Sequence, residues 1–412
     1  MRVLVLITRL PLPPWRGDQI RALHHLRCLA PRHDITCCAL LPREPSAALR
    51  AAVAALGVRL VVEPLGWLGA VPALARVLAG DRRPLQVLFY ERRRARRRVA
   101  ARIAAGGFDV VHAQLVRTAA YLPSSTRPPV VIDLIDALSL NMARRAALEG
   151  GPLAPVAACE AARLRCFEPA LAAQVARCLV VSAADRAAIG AGRIDVVPNG
   201  VDTAAFAFAA APRRTPRLVF SGNLGYFPNV DAARWMVRDV FPRIRAQVPA
   251  AELRLVGARP ARAVRALAAV PGVTVVRDVP AMAPELAAAA VAVVPMRSGT
   301  GLQNKVLEAM AVGTPVVTTP AVAAALEVVP GEHLLVAGDA DGLAAAAVAL
   351  LTDPGRGRAL AVAARTLVER RYRWEASAAA VEAAWEAAVA AARDGVGAPD
   401  RDAPCCARNG VW

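Results

Sequence analysis

Lysine is nearly missing from this chain: Lys305 is the single lysine among 51 lysines and arginines. Aromatic residues are scarce as well, at 4%. Aromatics interleaved with basic residues, the usual platform for stacking RNA bases, are therefore lacking, and no RNA-binding motif appears. Acidic residues number 33 against the 51 basic ones, a formal charge of +18. Such a charge favours polyanions (nucleic acid, anionic lipid, phosphorylated small molecules) without choosing among them. The eight cysteines form no C-x-x-C, and H-E-x-x-H is absent, so zinc and redox motifs are excluded. Cys159 and Cys166, seven apart on an expected helix, suggest a buried face rather than a ligand pair. Long apolar runs are missing too. The longest uncharged one, Ala309 to Leu326, contains Gly313, Pro315 and Pro320 and reads as helix, turn and strand. The apolar stretch from Pro64 to Ala75 is too short to span a bilayer. At the N-terminus, Val3 to Ile7 is too short for a signal peptide and is followed by Arg9, which suits a buried first strand and a cytoplasmic protein.

What remains is a chain of 412 residues, 56% hydrophobic. At about 100–200 residues per domain, that predicts two domains. Short apolar runs alternate with helical stretches. Val3–Ile7, Ile35–Leu41, Val58–Val62, Asp109–His112, Val130–Asp133, Leu179–Ser182 and Asp195–Pro198 read as strands of a first half. After a weak linker, Thr203 to Pro216, the pattern restarts with Arg217–Ser221, Glu252–Val256, Val273–Arg277, Ala290–Pro295 and Pro315–Thr318. Both halves predict βαβ units and a parallel sheet, so the expected architecture is α/β with two Rossmann-like, doubly wound domains. The expected bounds are 1–205, 206–375, a terminal helix 376–393 that returns to the first domain, and a flexible tail 394–412 holding Cys405 and Cys406. Ligands in such folds sit beyond the carboxyl ends of the strands, and two facing halves would place a site between them.

One segment concentrates the chemistry. An apolar strand ends at Pro295, a Gly-rich loop Ser298-Gly299-Thr300-Gly301 follows, and a helix is expected from about Leu302. Free backbone N–H groups and a helix N-terminus at a strand's carboxyl end suit an anion. Lys305 lies in the first turns of that helix and Glu308 three residues on, which puts both on one face. The lone ammonium can meet phosphate charge while the carboxylate accepts hydrogen bonds from sugar hydroxyls.

The string from Gly299 through Lys305 to Glu308-Ala-Met-Ala-Val-Gly-Thr-Pro-Val-Val317 resembles the C-terminal signature of GT-B-fold retaining glycosyltransferases of family 4. So do Val196-Val-Pro-Asn-Gly-Val-Asp202 and Leu218-Val-Phe-Ser-Gly-Asn223. With Thr8-Arg-Leu-Pro-Leu-Pro-Pro-Trp-Arg-Gly-Asp18 added, the chain is similar to sugar transferases of bacterial exopolysaccharide clusters, including those associated with PEP-CTERM/exosortase systems. The resemblance covers roughly residues 1–390. It implies transfer of a hexose from a nucleotide diphosphate sugar to a lipid-linked or other glycan acceptor, with retained configuration and no obligatory metal or other cofactor. The implied donor-binding residues are Gly222, Asn223, Gly257, Gly299, Thr300, Gly301, Gln303, Asn304, Lys305 and Glu308, with Asp278 near the base. Thr300 stands where the family has the first of two glutamates, and the loop after Ser221 lacks the family's basic pair, so Lys305, with Arg297, would carry the diphosphate charge. Gly17, Asp18 and Asp136 are implied on the acceptor side. His112, Asp18, Lys305 and Glu308 are the expected catalytic residues. Asp18 also suits the N-cap of a helix from Ile20.

His24 and His25 are expected to face neighbours or solvent. The basic stretch with Arg92, Arg93, Arg94, Arg96, Arg97 and Arg98 reads either as a solvated helix or as a contact with anionic lipid on the inner face of the plasma membrane. Competing readings are a catalytically degenerate scaffold, motivated by Thr300, a sugar-nucleotide epimerase, disfavoured by the carboxylate-poor loop, and a nucleic-acid binder supported by charge alone.

Overall fold

The structure is a computed structural model that describes residues 1–66, 70–123, 128–148, 153–209, 215–298 and 301–394. The chain divides into two compact units: Met1–Pro198 together with the chain from Ser377, and Asn199–Ala376. The division falls earlier than the expected 205/206 bound. Local contacts explain why. Val201 bridges Arg373, the amide of Ala209 donates to the Val312 carbonyl, and Arg365 Nη1 donates to the carbonyl of Phe206. Residues 199–209 are thus tied to the second unit.

In the first unit, seven strands form one parallel sheet: β1 (Arg2–Ile7), β2 (Asp34–Leu41), β3 (Arg59–Pro64), β4 (Val110–Gln114), β5 (Val130–Ile135), β6 (Arg177–Val180) and β7 (Ile194–Val196). Their order is β3-β2-β1-β4-β5-β6-β7. Aliphatic runs such as Val-Leu-Val-Leu-Ile in β1 suit a strand covered on both faces. The period of two then sorts them: Leu4 and Leu6 enter one core layer, Val3, Val5 and Ile7 the other. That second layer is closed by the last described helix, Trp374–Arg393. Its Ala378, Val381, Ala384, Trp385 and Ala388 recur at helical spacing and are buried there. The helix therefore returns to the first unit from Ser377 onward, as expected. The tail from 395, including Cys405 and Cys406, lies outside the described residues.

Six parallel strands build the second unit: β8 (Arg217–Ser221), β9 (Glu252–Gly257), β10 (Val273–Arg277), β11 (Val291–Val294), β12 (Val316–Thr318) and β13 (Leu335–Val336), in the order β10-β9-β8-β11-β12-β13. The sequence reading omitted β13, which is only two residues long. In each sheet the strand order reverses at one place, between β1 and β4 and between β8 and β11. Chains leaving the two strands there diverge to opposite sides and open a crevice at their carboxyl ends, the general ligand position in this class of fold.

One smaller expectation is corrected. Cys159 and Cys166 are exposed, because the helix Leu153–Gln174 buries Ala157, Ala161, Leu164 and Leu171 and turns both thiols to the other face. Of the two alternatives for His25, the structure has the neighbour: the ring is buried and its Nε2 lies 2.9 Å from Ser377 Oγ.

Candidate functional site

The β8/β11 crevice is organised around Lys305. The helix Asn304–Val312 starts directly beyond the β11 loop, so its second residue lies beside the end of β8. Lys305 is only 9% exposed. Its Nζ donates to Asn229 Oδ1 at 2.6 Å, lies 3.7 Å from Met296 Sδ and sits 5.1 Å from the centre of the Phe220 ring. These partners are all uncharged. The nearby charge that counts is Glu308, one turn further along and partly exposed. Burial lowers Lys305 to about 8, with Glu308 opposing. Burial likewise raises Glu308 to about 7, with Lys305 opposing. An ammonium surrounded by neutral groups has hydrogen-bonding capacity to spare for an anion.

Glycines shape the space in front of it. A Cβ on Gly222, whose φ is +145°, would lie 3.2 Å from Lys305 Cε and 3.0 Å from Asn229 Nδ2. A Cβ on Gly257 would overlap the carbonyl oxygen of Gly222. Both positions must be glycine for β8 and β9 to end side by side under the ammonium.

Several expected donor residues have other duties. Asn223 Oδ1 accepts from the Gly225 amide at 3.1 Å, and the Asn223 carbonyl accepts from Asn229 Nδ2 at 2.9 Å, closing the loop that presents Asn229. Asn304 Oδ1 accepts from Asn199 Nδ2 at 3.0 Å, which ties down the helix start. Gln303 occupies the N-cap without a side-chain capping bond, and Gly301 has φ +71°. Asp278 follows β10 with φ +53°. Gly299 and Thr300 lie outside the described residues. Arg297 is already engaged: it makes a bidentate pair with Asp231 (2.6 and 3.1 Å) and stacks over Trp235. Asn229, Phe220 and Met296 were not among the expected site residues. Only Asn229 carried a usable signal, a polar residue in the first turn after a Gly-Asn loop.

In the first unit the β1/β4 crevice receives Asp18. Its carboxylate accepts from Arg9 Nη1 at 2.7 Å, and its backbone carbonyl accepts from Gln114 Nε2 at 3.1 Å. Asp18 is not an N-cap, because the helix Gly17–Leu29 begins one residue before it, with Arg16 in the N-cap position and no side-chain capping bond. Asp136 follows β5 and is partly exposed, whereas Asp133 is fully buried and paired with Arg21 at 2.6 Å. His112 is corrected. It lies in the middle of β4, 6% exposed, and its Nδ1 accepts from Trp385 Nε1 at 3.1 Å. Burial lowers it to about 4, so the ring is neutral and its proton is on Nε2. It is a core histidine that seats the terminal helix. The residues that β4 delivers to the crevice are Gln114 and, just beyond, Arg117, both missed because the strand was expected to end at His112.

The basic stretch forms the helix Arg93–Gly106, which buries Ala95, Val99 and Ile103. Three of its expected lipid-facing arginines are engaged within the unit. Arg92 caps the carbonyls of Leu65, Phe89 and Glu91, Arg96 pairs with Glu91 and Arg98 with Glu63. Arg93, Arg94 and Arg97 are exposed. Among the described residues no group of three His, Cys, Asp or Glu side chains gathers as a metal site, and no helix is long and apolar enough to cross a membrane.

Residues 215–353, which include the whole β8/β11 crevice, match the family described as glycosyl transferases group 1. No curated protein matches the sequence. Among solved structures, sucrose-phosphate synthase from Thermosynechococcus elongatus aligns with TM-score 0.71 at 20% identity, over 95% of this chain and 100% of its own. Anabaena HepE, solved with UDP and glucose, aligns with TM-score 0.63 at 15% identity, over 93% and 99%. WaaG, a glycosyltransferase of lipopolysaccharide biosynthesis, aligns with TM-score 0.61 at 14% identity, over 93% and 98%. These likenesses establish the fold, two parallel-sheet α/β units of the GT-B class.

Proposed function

We propose that this protein is a glycosyltransferase that moves a hexose from a nucleotide diphosphate sugar to a hydroxyl of a glycan acceptor. The observation that carries this reading is the buried Lys305 ammonium, held by uncharged groups at the β8/β11 reversal. The group 1 match over the same residues supports it, as does the relative solved with UDP and glucose. In this reading Lys305 and the start of helix Asn304–Val312 take the charge that builds on the leaving diphosphate. Gly222 lets backbone approach a phosphate, and Glu308 accepts from ribose hydroxyls. Gly17, Asp18 and Asp136 face the acceptor. We assign retention of configuration to front-face displacement guided by the leaving phosphate, the diphosphate charge to Lys305 rather than a metal ion, and the product to exopolysaccharide or another cell-surface glycan. The acceptor is lipid-linked, and the protein works in the cytoplasm at the membrane's inner face through Arg93, Arg94 and Arg97.

Thermal unfolding with UDP-, GDP- and ADP-sugars tests the donor site. Donor at about 100 times its Kd adds about 2.7 kcal/mol of stability. A rise in midpoint with one nucleotide class, lost in Lys305→Ala and Glu308→Ala, is expected. No rise with any donor would overturn the enzyme in favour of a degenerate scaffold. Anomer analysis of the product then tests retention.

A further inference from the structure

Among the described residues, four other than glycine have positive φ, and all four stand at or just beyond the carboxyl end of a parallel strand: Leu115 after β4, Ile135 at the end of β5, Arg259 after β9 and Asp278 after β10. Leu115 and Ile135 are the most strained. Leu115 combines φ 69° with ψ 150°, a region that is essentially glycine's own, and Ile135, at φ 69°, is β-branched. Such backbone persists only where its surroundings over-determine it. Here the surroundings converge on one fully buried residue, Asp133. Its backbone carbonyl accepts from the Leu115 amide at 2.8 Å. Its Oδ1 accepts from the Ile135 amide at 3.1 Å, where β5 slips register against β6. Its Oδ2 accepts from Arg21 Nε at 2.6 Å, and Arg21 Nη1 donates onward to the Val197 carbonyl at 2.9 Å. These bonds reach each segment placed on the acceptor side. Arg21 lies on the helix Gly17–Leu29, three residues after Asp18. Gln114, which pairs with Asp133 in the β4–β5 ladder, donates to the Asp18 carbonyl at 3.1 Å. Ile135 is followed directly by Asp136.

We propose that Asp133 is a positioning residue. Its carboxylate clamps the turn at Ile135 to the helix Gly17–Leu29, and its main chain holds the turn at Leu115, so that Asp18 and Asp136 keep one spacing towards the acceptor hydroxyl. The clamp stands on its own geometry; its effect on transfer rests on the glycosyltransferase reading. Asp133 touches no substrate and moves no proton. A buried ion pair commonly stabilises a fold no more than apolar side chains of similar volume would. Stability therefore gives little reason for Arg21 and Asp133 here, whereas two strained turns that must be held beside one crevice do.

In the test, Arg21 and Asp133 are changed together, because either change alone strands a buried partner. Arg21→Met/Asp133→Asn keeps an oxygen for the Ile135 amide. Arg21→Met/Asp133→Leu removes it and buries no unpaired amide, so it should unfold at the higher midpoint. Function is expected to run the other way. With the nucleotide sugar that raises the midpoint as donor and octyl hexosides as soluble acceptors, the leucine variant should fall about 100-fold below the asparagine variant in kcat/KM for the acceptor, the size expected of a displacement of about 1 Å. The donor-induced rise in midpoint should be the same in both. Activity that follows stability, or equal kcat/KM, would overturn the proposal. Ile135→Gly, which takes the turn without strain and leaves it free to move, covers the case in which neither pair folds. A raised acceptor KM with an unchanged donor response supports the clamp, and a parent-like acceptor KM overturns it. Hydrogen exchange reads the clamp with no substrate present. The Ile135 and Asp136 amides should exchange about tenfold faster or more in the leucine variant than in the asparagine variant, with Val111 and Ile132 alike in both. Equal exchange at all four would overturn it. Failure of the glycosyltransferase reading shows instead in the parent protein, which would then form no glycoside while the exchange difference persists.

Discussion

At the scale of single residues, Lys305 and Glu308 set opposing limits on pH. Lys305 titrates near 8 and Glu308 near 7. A diphosphate binds the charged ammonium, so affinity is lost as pH rises through 8, where the free protein gives up that proton. A ribose hydroxyl bonds best to the ionised carboxylate, so affinity is gained as pH rises through 7. Donor binding should therefore peak between about 7 and 8. Calorimetry across pH checks both limbs. Folding has its own sign. A lysine depressed in the folded state binds fewer protons than in the unfolded chain, so its penalty is present at neutral pH and relieved above 8. Lys305→Met should thus stabilise the ligand-free protein at pH 7, by roughly 1–3 kcal/mol, while abolishing the donor-induced shift. The glycines differ in kind. Gly222→Ala meets only side-chain ends but forces a side chain onto a φ of +145°, so it should lower stability as well as destroy donor binding. Gly257→Ala collides with backbone and should cost about 3 kcal/mol or more in urea unfolding.

At the scale of elements, the terminal helix is fastened by one large side chain. Trp385 is 1% exposed, and its indole N–H is the partner of His112 Nδ1. Trp385→Ala should cost about 3–5 kcal/mol through the cavity it leaves. Trp385→Phe keeps most of the volume but orphans a buried imidazole nitrogen, and should cost about 1–3 kcal/mol in the same denaturation assay. The pairing also shows what the sequence could not reveal. Strands such as β1 and β11 were legible because parallel strands buried on both faces are continuous aliphatic runs. The site loop was legible because glycine, a lone lysine and a helix start coincide around residue 301. His112 was misread for lack of a third dimension. A histidine near a strand end looks like a crevice residue unless one knows that Val110, His112 and Gln114 share a face and that Trp385, 273 positions later, covers it. That strand's own alternation, carried two residues further, would have pointed to Gln114. β13 escaped because two residues carry no periodicity.

At the scale of the molecule, a charge of +18 needs a location as well as a value. On the first unit it is joined to apolar surface. The helix Ala70–Leu78 exposes Val71 (68%), Leu74 (60%) and Leu78 (79%), positions that share one helical face, and Phe89 nearby in sequence is 44% exposed. In the same stretch of chain, Arg93, Arg96 and Arg97 line a cavity of about 770 Å³ whose apolar wall includes Ile103 and Phe108. The proposed membrane contact would combine this apolar helical stripe with the outward arginines, insertion and charge acting together. The two parts should separate experimentally. Arg93, Arg94 and Arg97 should each contribute about 1 kcal/mol at low salt, so replacing all three by glutamine should weaken sedimentation with phosphatidylserine vesicles about 100-fold. That loss should shrink as salt rises and be absent with phosphatidylcholine vesicles. Replacing Val71, Leu74 and Leu78 by serine should instead remove the binding that survives high salt. Equal sedimentation of all variants, or equal binding to both vesicle types, would assign the charge to solubility alone and leave the acceptor to arrive by diffusion.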